Sequence, residues 1–153
     1  MKLERWALVA EIVSGVAVLV TLVILVVGVN ANTDVTRAAV YEDLMADLNQ
    51  FNLAMVDDEA LADLWLGDDA LGDLDDAAAN RLILLNRVVF RIYEAAYFSY
   101  RNGSLGGSQW FRFEETICNV KRRRDRALWE ATETILTEEF QSYISANCDD
   151  QSP

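Results

Sequence analysis

Residues 6–29 read WALVAEIVSGVAVLVTLVILVVGV, 24 positions with a single charge, Glu11. A bilayer core about 30 Å thick takes about 20 apolar residues in a helix, so this run is long enough to span it with some tilt. The rival reading is a secretory signal, with Lys2 and Arg5 as its basic region and Val29-Asn30-Ala31 as its cleavage site. The apolar core of such signals holds only about 7–15 residues, so the stretch is read as an uncleaved anchor. The chain then divides into a cytoplasmic N-terminus (1–5), a transmembrane helix (6–29) and a water-soluble helical domain (30–153).

The orientation comes from the basic residues that flank the span. Lys2 and Arg5 precede it, whereas beyond Val29 only Arg37 occurs before Arg81, with Asp34, Glu42 and Asp43 nearby. The positive-inside bias places the N-terminus in the cytoplasm and the domain on the far side. Within the span, at 100° per residue, Ala10, Ser14, Ala17, Thr21 and Gly28 share a wedge of about 60°. Small residues along one face let helix backbones approach closely in lipid, where no hydrophobic drive brings helices together. Glu11 lies on the shoulder of that face, where a carboxylate is costly unless protonated, paired or reaching the head groups. These six residues form the expected interface with other membrane-protein subunits or with a second copy.

Charge is distributed unevenly. The net charge is −12, and residues 38–80 contain twelve acids and no Lys or Arg. From Arg81 onward ten basic residues balance ten acids. An acidic surface of this kind makes nucleic acid and anionic lipid poor partners.

Beyond the anchor, helix is expected throughout. The only proline is Pro153, and no stretch alternates with period 2. A helix over 35–56, continuous with the anchor for want of any breaker, carries Tyr41, Leu44, Met45, Leu48, Phe51, Asn52 and Met55 on one stripe. A short helix follows with Leu61, Leu64 and Trp65 inward and Gly67 at its end. Asp75 or Asp76 is placed to cap a long helix running to Arg101, with Leu82, Leu85, Val89, Ile92, Ala96 and Tyr97 buried and Asn102-Gly103 at its C-terminus. Residues 103–107 (GSLGG) read as the most flexible stretch, and Ser108 as the cap of a helix bearing Trp110, Phe111, Phe113 and Ile117. A last helical region over 122–146 contains an internal start signal, Thr137 followed by Glu138-Glu139, which implies two pieces and a bend. The expected fold class is all-α: a single transmembrane helix plus a small antiparallel helical bundle.

Five stretches, 10–20 (AEIVSGVAVLV), 32–41 (NTDVTRAAVY), 61–66 (LADLWL), 85–100 (LNRVVFRIYEAAYFSY) and 136–144 (LTEEFQSYI), carry a resemblance over nearly the full length. The chain resembles a widespread family of small uncharacterised bacterial proteins with one N-terminal transmembrane helix and an all-helical domain. The resemblance implies that architecture and a bacterial source, so with the orientation read from the flanking basic residues the expectation is an inner-membrane protein whose domain is periplasmic. It implies no activity. Similar proteins tend to be basic just after the membrane helix, whereas this chain has only Arg37 there.

No histidine occurs, which removes the commonest general base and metal ligand. Two cysteines alone do not complete a structural zinc site, and no glycine-rich phosphate loop is found. The acidic stretch 57–76 suggests Ca²⁺, but EF-hand spacing fails: counting from Asp68 the third position is Ala70, and from Asp73 the fifth is Ala77. It reads as a solvated face with helix caps. On the long helix, Arg91, Tyr93, Glu94 and Tyr97 are a possible docking face, against the simpler view of a core helix whose polar ends reach the rim. Lys121 to Arg124, with Arg126, is the strongest basic patch and reads as an exposed corner or as a partner for the acidic third. Cys118 and Cys148 form a possible disulfide, which an oxidising compartment permits. An unbroken helix from 122 to 146 would be about 37 Å long, far beyond the reach of a bridge, so the bond requires the bend at Thr137.

The functional expectation is therefore a non-catalytic membrane-anchored interaction protein without cofactors or metals, an accessory subunit of a larger membrane complex or a homo-oligomer. The alternative is a membrane-tethered sensor or small-ligand-binding module using the aromatic helix 87–101.

Overall fold

The computed structural model describes residues 2–148, whose regular structure is helical with no strand. Six α-helices follow one another: α1 (Lys2–Asp57), α2 (Glu59–Leu66), α3 (Asp76–Arg101), α4 (Gly107–Arg123), α5 (Arg126–Glu133) and α6 (Glu138–Cys148), with a 3-10 turn at Leu71–Asp73. The chain divides into two compact units, Met1–Ala38 and Ala39–Pro153.

Among the described residues one helix, α1, is long and apolar enough to cross a membrane, and its most apolar stretch has mean hydropathy 2.5 with none of it buried. The polar residues after Val29 do not end α1. Thr21 and Thr36 turn their hydroxyls back to the carbonyls of Ala17 and Asn32, both at 2.9 Å, so each is satisfied within the helix.

The second unit is organised around α3, which packs against α2, α4 and α5, while α4 packs against α6. Leu44, Phe51 and Met55 of α1 enter the same core. Asn52, expected on that stripe, is exposed. Tyr97, Phe90, Phe140, Ile117 and Ile144 are fully buried, and cutting a core phenylalanine to alanine costs about 3–5 kcal/mol.

Three aspartates start helices by the same device. Asp58 accepts from the backbone N–H of Ala60 at 3.0 Å, Asp75 from Ala78 at 2.8 Å and Asp125 from Leu128 at 2.7 Å. Each such cap stabilises by about 1 kcal/mol. At the end of α3, Asn102 is the cap residue and Gly103 takes φ +80°, a left-handed conformation that strains any L side chain.

Three local expectations change. The 103–107 stretch is pinned, because Leu105 is buried and its N–H donates to the carbonyl of Ser99 at 2.9 Å. Ser108 is not a cap: α4 begins at Gly107, and the side chain of Gln109 accepts from the Gly106 N–H at 3.1 Å. The last helical region is three pieces, because α4 runs on to Arg123 and the chain turns twice, before Arg126 and again over residues 134–137.

Candidate functional site

From Val13 to Val27 the large apolar residues of α1 are exposed, Ile24 at 66%. Glu11, Ser14, Ala17, Thr21 and Gly28 are exposed on the same helix; the side chain of Ala10 lies outside the described residues. A Cβ added at Gly28 meets nothing within 4 Å. This unit thus presents a bare apolar cylinder with a strip of small residues.

In the second unit the polar side chains of α3 hold the corner between α5 and α6. Arg87 donates to the carbonyl of Ala131 from Nε at 3.2 Å and Nη2 at 2.7 Å. Asn86, buried, donates to the Thr132 hydroxyl at 2.8 Å. Glu94 is only 5% exposed; it accepts from the Thr137 backbone N–H at 2.7 Å and from Arg91 at 2.9 Å. A buried carboxylate is tolerated because both oxygens are engaged.

The four residues suggested as a docking face are therefore not one surface. Arg91 is open, while Tyr93, Glu94 and Tyr97 are buried. The Tyr97 ring meets Phe98 edge-to-face and Trp110, Phe140 and Tyr143 at tilted angles, with centroids 4.7–5.8 Å apart. Its hydroxyl donates to Glu139 and accepts from Arg101 at 2.8 Å. Aromatic side chains fill this region against one another.

Cys118 and Cys148 are joined by a disulfide with Cα atoms 5.0 Å apart. The turn over 134–137 folds α6 back and makes the approach possible. Thr137 accepts from the Phe140 N–H at 3.4 Å, and Gln141 donates to the carbonyls of Glu133 and Leu136, both at 2.9 Å.

The basic run sits in the last turn of α4 and just beyond it, where cations offset the helix dipole. It also closes a long-range contact with the acidic third. Arg124 donates to the carbonyls of Trp65 and Gly67, and its guanidinium lies 4.7 Å from the centre of the Trp65 ring. Arg123 donates to the same Trp65 carbonyl at 3.0 Å. Burial lowers the Arg124 pKa from its ordinary value, with Arg123 adding to the effect and Asp68 and Asp125 opposing it. Asp125, besides capping α5, accepts from the N–H of Leu71. Among the described residues, no group of three acids or cysteines is placed to hold a metal ion.

One apolar groove of about 610 Å³ opens between the 47–55 stretch of α1 and residues 84–92 of α3. Leu85, Ile92, Phe51 and Met55 line it, and exposed Leu84 and Val88 form a wall. Asp47 and Arg91 stand on opposite sides. Leu84 and Val88, four residues apart and off the buried face of α3, were its signal in the sequence. No family model matches the chain, and no curated protein or solved structure does either.

Proposed function

We propose that the chain is a non-catalytic, membrane-anchored interaction protein, an accessory subunit of a larger membrane assembly or of an assembly of its own copies. The observation that carries this is uncovered apolar surface: the exposed run from Val13 to Val27 in one unit and Leu53, Val56, Leu84 and Val88 in the other. Water is a poor solvent for both. A bilayer accommodates the first, and its small-residue strip suits a neighbouring helix. The chemistry-bearing side chains of the second unit support the same reading, since Arg87, Glu94 and Arg124 engage the backbone of the fold itself.

In this reading α1 is a single-pass anchor, and the second unit is an antiparallel helical bundle. The N-terminus is cytoplasmic and the bundle lies outside, a reading supported by Lys2 and Arg5 before the span and only Arg37 soon after it. The resemblance to small bacterial membrane proteins makes that outside a periplasm. The Cys118–Cys148 bond supports an oxidising compartment for the bundle. Native mass spectrometry of the detergent-extracted full chain is the test. Stoichiometric partner chains or multiples of the chain mass are expected, and a bare monomer from membranes extracted under mild conditions overturns the proposal.

A further inference from the structure

A second, smaller cleft of about 220 Å³ is lined by Tyr41, Met45 and Leu48 of α1, Tyr93 of α3, and Arg112 and Phe113 of α4. All six belong to the second unit. The lining has two chemistries. Met45, Leu48 and Phe113 offer apolar surface. The hydroxyls of Tyr41 and Tyr93 and the guanidinium of Arg112 make no hydrogen bond or ion pair among the described residues. Tyr93 is the telling member. It is 4% exposed, and burial alone pushes its pKa up to about 12, with no hydrogen bond contributing. The ring is buried, while the hydroxyl is not among the buried polar atoms without a partner and so stays open at the cleft, where a bound group reaches it.

We propose that this cleft binds a small amphipathic carboxylate, its oxygens held by Arg112, Tyr93 and Tyr41 and its short apolar body resting on Met45, Leu48 and Phe113. One guanidinium in an acidic chain favours a monoanion over the dianion of a phosphate monoester. Arg presents a planar fork that matches a carboxylate. At about 30 Å³ per water-sized group, the volume admits about seven such groups, so the body is a few carbons long. The proposal goes beyond the assembly proposed above and does not depend on it.

The test uses the full chain in lipid nanodiscs, titrated with 4,4,4-trifluorobutanoate and followed by fluorine NMR line width, with empty nanodiscs subtracted. Saturable binding is expected. Arg112→Gln should weaken it about tenfold or more, and Tyr93→Phe roughly three- to tenfold, the ranges expected for losing a charged and a neutral hydrogen bond. Tyr93→Phe should melt no lower than the parent, because the lost hydroxyl has no partner inside the fold; this separates a ligand role from a structural one. Trifluoroacetate, which lacks the body, and 4,4,4-trifluorobutanol, which lacks the charge, should both bind weakly. Absence of saturable binding, equal binding by either control compound, or undiminished binding by both variants overturns the proposal.

Discussion

Removing the Cys118–Cys148 bond tests how the second unit is held together. The bond closes a loop with sequence separation 30. The chain-entropy relation gives about 12 cal/mol/K for such a loop, or about 3.6 kcal/mol at 25 °C. Both sulfurs sit on buried residues, and Cys148 ends the helix that carries fully buried Phe140 and Ile144. The loss should therefore fall first on α6. For a unit of this size 1 kcal/mol moves the midpoint by about 3–5 °C, so the pair Cys118→Ala and Cys148→Ala should melt about 11–18 °C below the parent. Near-ultraviolet circular dichroism of the full chain in detergent reads the transition through the aromatic cluster around Tyr97. Reductant should lower the parent to near the variant and leave the variant unchanged. A variant melting within 2 °C of the parent, or free-thiol labelling of both cysteines in the unfolded, unreduced parent, refutes the reasoning.

Glu94→Ala leaves the Thr137 N–H and Arg91 without their acceptor, and should cost about 2–3 kcal/mol in denaturant titrations, with Glu94→Gln costing less because one acceptor oxygen remains. Tyr93 has an ordinary pKa of 10 and a folded value near 12; the folded state keeps its proton longer, so stability is full below pH 10 and declines as pH rises towards 12, by roughly 2–3 kcal/mol. Tyr93→Phe should flatten that part of the alkaline stability curve, and an unchanged slope would discard the assignment. Leucine at Ala10, Ser14 and Ala17 together, with and without Glu11→Gln, should reduce co-purification of partner or sister chains; an unaltered assembly mass would move the interface to another face of α1.

Local signals in the sequence carried over well where the physics is local. Thr137 with its two following glutamates, Asp75 before α3 and Asn102-Gly103 after it act within a turn of themselves, and the 3.6-residue period of α3 needs only a core to face. Capping failed at Ser108 because Gln109 reaches back to the Gly106 N–H, an equally local solution that the serine concealed. The basic run does meet the acidic third, but where it does so was not legible. Arg124 reaches the carbonyls of Trp65 and Gly67 across more than fifty residues, and backbone carbonyls look alike at every position of a sequence. The cleft beside Tyr93 was likewise illegible, since an unpartnered hydroxyl exists only once α1, α3 and α4 have met.

Digesting intact spheroplasts with proteinase K, with the full chain carrying an N-terminal tag, tests the central claim most directly. If α1 anchors the chain with its bundle outside, the full-length band disappears without detergent. A tagged, membrane-bound fragment of about 30 residues then survives, roughly one bilayer-spanning helix and its flank. A chain that stays intact until the membrane is dissolved places the bundle inside the cytoplasm, and a tag released with the soluble fraction removes the anchor altogether.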